Sequence, residues 1–251
     1  MLGSLLCSVD LLRSGRSLKY YAKRYLVVGA SKGIGNSLAK MLTADGNTVI
    51  AISRTEGELA GMEGVDFQTY DVASDEPLPT IEGIIDGVVY CPGSINLRPF
   101  NRLTETDFVS DMQINLLWAV RVIQHYLPNL KISENGSIVL FSTVAVQTGM
   151  GFHASVSAAK GAVEGLTRAL AAEFAPKIRV NCIAPSLTDT PLAEKLLNTP
   201  EKRDASAARH PLKKVGTAAD IAEMAAFLLS EKSAWITGQI LHVDGGMGSV
   251  R

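Results

Sequence analysis

The sequence predicts an α/β fold: a doubly wound, seven-stranded parallel sheet with helices on both faces, in a single domain. Three observations predict it. Short β-branched runs alternate with longer helical patterns from Tyr25 onward. The runs are continuously apolar rather than alternating, as in strands covered on both faces. Repetition of strand, helix and strand then implies right-handed crossovers between parallel strands. At 251 residues, 47% of them hydrophobic, the chain is long enough to bury one large core. No internal repeat, low-complexity tract or linker rich in Pro, Gly and Ser divides it.

In chain order, the strands are "YLVVGA" (25–30), "TVIAIS" (48–53), "VDFQTYDV" (65–72), "GVVYC" (87–91), "SIVLFS" (137–142), "IRVNCIAP" (178–185) and "QILHVDGG" (239–246). Helices are expected over Ile34 to Thr43, Glu105 to Leu127, Ser157 to Phe174 and Ala218 to Leu229, where apolar residues recur at three and four. The least regular stretch, Thr188 to Pro211, carries Pro191, Pro200 and Pro211, and reads either as a mobile lid or as an ordinary surface excursion. Residues 1–24 form an N-terminal extension ahead of the 25–251 domain. Arg13, Arg16, Lys19, Lys23 and Arg24 outweigh the single Asp10 there, a composition that also fits an organelle transit segment, although Asp10 interrupts its apolar stretch.

Composition excludes several classes. With 24 Lys and Arg against 25 Asp and Glu, the chain has no basic field to hold nucleic acid or an anionic membrane. No segment approaches the roughly 18 consecutive apolar residues of a membrane span. Cys7, Cys91 and Cys182 lie far apart without CxxC spacing or His neighbours, so we expect free thiols, no metal site and a cytoplasmic location.

The strongest local signal is "VVGASKGIGNSLAKML", which sets Gly29, Gly33 and Gly35 directly after the first strand and at the mouth of a helix. Small residues there let the backbone approach a pyrophosphate, and the helix N-terminus attracts its charge. This is the Rossmann-like dinucleotide turn, and Ser31, Lys32 and Ile34 belong to it. The second strand ends in Ser53 and Arg54, where an acid would hold the ribose of NAD; with Lys32 nearby, two cations favour NADP(H) unless both are merely solvated surface charges.

From Tyr25 to Met247 the chain resembles the short-chain dehydrogenase/reductase family, and within it the 3-oxoacyl-carrier-protein reductases most. The marks are "GASKGIG"; Asp71 and Val72 after the third strand; Asn115 in "DMQINLLWAV"; "SIVLFSTVA"; "SAAKGAVEGLTRALAAEFAPKIRVNCIAPSLTDTP", with Lys160, Pro185 and Thr188; and "WITGQILHVDGG". The resemblance implies that Lys160 holds the cofactor ribose, that Asn115 backs a proton-relaying water, and that Thr143, with Ser142 before it, stands at the catalytic serine.

Two departures bear on chemistry. Tyr90, Cys91, Pro92 and Gly93 replace the family's NNAG, so only the glycine survives and the asparagine side-chain hydrogen bonds are expected to be lost. More seriously, Val156 stands where the family has its catalytic tyrosine, and valine has no proton to give. On a regular helix Ser157 turns about 60° from Lys160, His153 about 20° and Ser155 about 140°. Ser155 is thus the poorest substitute. His153 is seven before the lysine, where the related enoyl-thioester reductases place their tyrosine; it is either an acid or a loop side chain at the cleft mouth. Ser157 would need a strong activator.

Two functions follow. One is an NADP(H)-dependent oxidoreductase reducing a carbonyl or conjugated enoyl substrate with a non-standard proton donor. The alternative is a catalytically inactive nucleotide-binding subunit or redox sensor, in which case it would pair with an active relative in a hetero-oligomer. The resemblance also implies a homodimer or homotetramer, joined through the helices at 105–127 and 157–174 and the C-terminal strand.

Overall fold

The computed structural model describes residues 22–250; the transit reading of the N-terminal segment, and all of that segment before residue 22, lie outside the described residues. Seven strands form one parallel sheet: β1 (Arg24–Val28), β2 (Thr48–Ser53), β3 (Val65–Thr69), β4 (Gly87–Tyr90), β5 (Gly136–Phe141), β6 (Ile178–Pro185) and the last, β9 (Ile240–Val243). Their spatial order is β3-β2-β1-β4-β5-β6-β9. Order reverses between β1 and β4, so the chain leaves the C-terminal ends of these neighbours in opposite directions and opens a crevice there.

Pleating explains why the runs are apolar throughout. Leu26, Val28, Ile50 and Ile52 join one core cluster, with Val122, Tyr126 and Val163. The alternate residues Tyr25, Val27, Val49 and Ala51 join a second, with Leu38, Leu42, Ile221 and Ala225. Each face is covered by its own helices, α1 (Gly33–Ala44) and α8 (Ala218–Leu229) on one side, α3 (Trp118–Ile132) and α5 (Ala154–Phe174) on the other. Among the described residues, no helix is long and apolar enough to cross a membrane.

Three expectations of regularity change. The helix read as ending at Leu127 is α2 (Glu105–Met112), a π turn at Gln113–Leu117, and α3, which runs through Pro128 to Ile132. Tertiary anchors override the proline: Leu130 is fully buried, and Asn129 Nδ2 donates to the carbonyls of Ile81 and Gly83 at 2.8 and 2.7 Å. α5 begins at Ala154, ahead of the expected Ser157. The stretch Thr188 to Pro211 is mostly regular: β7 (Thr188–Asp189), α6 (Glu194–Leu197) and α7 (Pro200–Ala208), with β7 paired to β8 (Gly216–Thr217). Pro200 starts a helix instead of breaking one, behind a Thr199 hydroxyl that accepts from the Lys202 amide.

Candidate active site

The crevice at the reversal of strand order is the candidate site. Gly29 leaves β1 at φ 80° and Gly33 opens α1 at φ 57°, both left-handed. A Cβ on Gly35 would lie 2.4 Å from the Gly29 carbonyl oxygen, so α1 can pack on the turn only without a side chain there. Lys32 sits at the N-cap without a side-chain cap, which leaves the first amides of α1 available to an anion. These features fit a pyrophosphate. Ser53 donates its hydroxyl to the Thr55 carbonyl at 2.9 Å. Arg54 and Lys32 are exposed, and neither makes an ion pair among the described residues. Asp71, exposed beyond β3, accepts from the Ala73 amide at 3.0 Å, with Val72 packed on the core behind it.

Across the reversal, Cys91, Pro92 and Gly93 follow β4, and Pro92 packs against Gly29, where a Cβ would meet its ring at 3.1 Å. Tyr90 Oη donates to the Ile114 carbonyl at 2.8 Å, reaching an acceptor in the π turn. Burial pushes the Tyr90 hydroxyl well above its ordinary range and the Cys91 thiol up to about 12, so both stay neutral.

Gly93 is the point where the catalytic candidates converge. A Cβ there would stand 3.2 Å from Asn115 Oδ1 and 3.4 Å from Lys160 Nζ. Asn115 is held by a buried knot that the sequence reading missed: its Nδ2 donates to Ser94 Oγ and to the Asp111 carbonyl, both at 2.8 Å, and Ser94 donates to Asp111 Oδ1 at 2.6 Å. The four-residue spacing of Asp111 and Asn115, one helical turn, was the signal available. Lys160 donates to the Phe141 carbonyl at 2.8 Å. Burial lowers its pKa from 10.5 to about 8, against weaker opposing pulls from Cys182, Cys91 and Asp111.

A cleft of about 330 Å³ opens beside this point. Ile34, Cys91, Gly93, Ser142 and Thr143 line it, as do His153, Val156, Lys160, Pro185 and Thr188. Ser142 turns its proton away, donating to the buried Glu164 Oε1 at 2.7 Å. Thr143 Oγ1 accepts from the Ala145 amide at 3.3 Å and keeps its O–H to donate. His153 at the N-cap of α5, with Val156 and Lys160 on the helix, shares the cleft stripe at spacings of three and four. Ser157, one position past Val156, is rotated off that stripe; it does not line the cleft, and its buried hydroxyl has no hydrogen-bond partner. His153 is the N-cap of α5, with Nδ1 2.6 Å from the Gly151 carbonyl. Among the described residues, no group of His, Cys, Asp and Glu could hold a metal ion.

The chain is similar to known proteins over most of its length. Residues 29–248 match the family model described as enoyl-(acyl carrier protein) reductase. The chain is 33% identical to L-xylulose reductase of Bos taurus, covering 91% of this chain and 98% of that one. It is 31% identical to 3-oxoacyl-(acyl-carrier-protein) reductase MabA of Mycobacterium tuberculosis, over 93% and 96% of the two chains. Among solved structures, ElxO with NADP bound superposes with a TM-score of 0.80 at 26% identity, over 90% of this chain and 99% of that one.

Proposed function

The chain belongs to the short-chain dehydrogenase/reductase family of oxidoreductases, and we propose that it is an NADP(H)-dependent reductase of a carbonyl or conjugated enoyl substrate whose proton comes from a cleft group other than residue 156. Lys160 carries the reading: a buried amine, fixed on the Phe141 carbonyl beside Asn115 and Gly93, ends one side of a cleft that begins at the glycine turn. When bound, the dinucleotide supplies the hydride. Gly29, Gly33 and Gly35 would admit its pyrophosphate, Lys32 and Arg54 would attract the extra phosphate that marks NADP, and Lys160 would hold the nicotinamide-side ribose. Thr143, which lines the cleft, would donate to a developing oxyanion, and that favours substrates whose negative charge needs hydrogen bonds more than immediate protonation. The NADP bound by ElxO supports the cofactor preference.

Val156 favours a second reading, a nucleotide-holding subunit or redox sensor, because it puts an apolar side chain on the catalytic stripe. One experiment separates the two: titrate the pure protein with NADPH by calorimetry, then follow reduced-cofactor absorbance with a panel of ketones, quinones and enoyl thioesters. Saturable oxidation supports the reductase; tight binding without oxidation supports the second reading; absence of binding sinks both. We further propose a homodimer or homotetramer, supported by exposed Val109 and Leu117 on the α2–α3 helix and fully exposed Trp235 before β9. Light scattering at micromolar concentration tests it, with a monomer as the opposing result. The proposed compartment is the cytoplasm, supported by free thiols at Cys91 and Cys182.

A further inference from the structure

The cleft is also lined by Ser186 and His210, which have no part in the reading above. Ser186 follows Pro185 at the end of β6, and His210, only 2% exposed, lies just past α7. Ser186 Oγ stands 2.8 Å from His210 Nε2, and His210 Nδ1 stands 2.8 Å from the Ser206 carbonyl. A carbonyl can only accept, so Nδ1 carries hydrogen and, in the neutral ring, Nε2 is left to accept from the serine. The ring is packed as well: a Cβ on Gly245 would meet its Cδ2 at 3.4 Å. A cleft hydroxyl, a buried imidazole in reach of it, and a main-chain group fixing the tautomer are the parts of a proton-transfer pair.

We propose that Ser186 and His210 supply the proton that Val156 cannot, with Ser186 as the catalytic donor to the substrate carbonyl oxygen and His210 as the residue that positions and recharges it. This rests on the reductase reading. With His210 protonated, Nε2–H donates to Ser186 Oγ, and the serine O–H, whose other acceptor is the cleft-lining Met247 Sδ at 3.2 Å, exchanges that weak sulfur acceptor for the substrate oxygen. As hydride reaches the carbonyl carbon, the C=O π pair moves to oxygen, which takes the Ser186 proton. The serine O–H breaks, a substrate O–H forms, and Ser186 recovers a proton from Nε2. His210 ends neutral and is reprotonated by water; both electrons of the reduction come from the reduced nicotinamide.

His153 is less prepared for this role. It is half-buried, fixed at Nδ1 alone, and follows Phe152, whose φ of 68° belongs to an exposed turn at the cleft mouth. His210 is held at both nitrogens in the geometry the transfer needs, which is the preorganisation that makes a donor effective. Charged and titratable groups on the segments around it are Arg209 beside it in the cleft, Lys213, whose ammonium donates to the Ala208 carbonyl, and His242 with Asp244, whose oxygens accept from the Gly246 and Gly248 amides.

The test uses the full chain, NADPH and a ketone and aldehyde panel, with Ser186→Ala, His210→Gln, His210→Gly and His153→Ala. Ser186→Ala and His210→Gln should lower kcat by about 100-fold, the scale of a lost acid, and leave the calorimetric Kd for NADPH within about twofold. Added imidazole should restore part of the rate in His210→Gly and none in Ser186→Ala, a rescue that a merely structural histidine does not show. Independently of turnover, side-chain nitrogen NMR should find neutral His210 protonated at Nδ1, with the Nε2 signal moving in Ser186→Ala. Wild-type rates in both Ser186→Ala and His210→Gln, loss confined to His153→Ala, or a proton on Nε2 overturn the assignment and leave the reductase reading intact. Wild-type protein that binds NADPH but oxidises none overturns that reading and this assignment with it.

Discussion

Replacing Lys160 by Met should reveal a buried charge through the pH dependence of stability. Burial holds the Lys160 ammonium at a pKa of about 8 against an ordinary 10.5. At about 1.4 kcal/mol per pH unit, folding around the protonated amine costs about 3 kcal/mol at neutral pH. The sign follows from where the protons are. Below about pH 8 folded and unfolded chains both hold the proton and the full cost is present. Between about 8 and 10.5 the folded state has released it while the unfolded state has not, so stability climbs with pH; above 10.5 the cost is gone. Met fills a similar volume and never titrates. The neutral amine still donates to the Phe141 carbonyl, so that 2.8 Å bond largely cancels from the pH dependence. Urea denaturation of both proteins without cofactor, from pH 7 to 10.5, should show the stability of wild type relative to Lys160→Met rising by about 3 kcal/mol. A difference that stays flat across this range refutes the burial argument and returns Lys160 to an ordinary surface amine.

Three further outcomes concern residues of the site. Gly35→Ala places a methyl 2.4 Å from a main-chain oxygen, so it should abolish calorimetric NADPH binding and destabilise the fold by about 2 kcal/mol in thermal melts. Arg54→Ala should raise the Kd for NADPH about tenfold while leaving that for NADH within twofold, since only the former carries the extra phosphate. Val156→Tyr returns a phenol to the cleft stripe and should raise kcat for ketone reduction by about 100-fold in the absorbance assay.

The sheet was legible because burial on both faces writes itself as unbroken apolar runs, and α8 because apolar residues recur at three and four from Ala218 to Leu229, the span that the Thr217–Asp220 capping box opens and Ser230 closes. The helix runs past the expected end at Leu127 and through Pro128 because buried Leu130 and Asn129, whose partners lie more than 45 residues before it, anchor its last turn. The glycine turn was readable from its place between the first strand and the first helix, whereas Asn115 and Lys160 were singled out by the family resemblance, and the structure sets both beside Gly93. Ser157 was placed by helical phase alone, and the cleft stripe proved to run through Val156 instead. Ser186 and His210 left no trace of this kind: they are 24 residues apart, on a strand end and beyond a helix, and only the path of the excursion over the cleft joins them.

Val156 also changes what the lysine does to a bound nicotinamide. Beside a tyrosine, an ammonium has a group whose negative form can offset it. Here its hydrogen-bond acceptor is the neutral Phe141 carbonyl, and Cys91 and Cys182, both pushed up to about 12 by burial, remain uncharged thiols. If the proposed cofactor places its ring by Lys160, the oxidised ring brings a second positive charge and the reduced ring none. Two unit charges about 5 Å apart at an effective dielectric constant of about 20 repel by roughly 3 kcal/mol, and solvent in the open cleft reduces this to about 1 to 2. Below pH 8 the protein should therefore bind NADPH about tenfold more tightly than NADP+ on this account alone, and the preference should shrink as pH rises through about 8 and Lys160 loses its charge. Calorimetric Kd values for the two cofactors at pH 7 and pH 9 measure it. A ratio that does not move with pH means that the ring and the lysine are not neighbours, and the placement of the nicotinamide in this cleft fails with it.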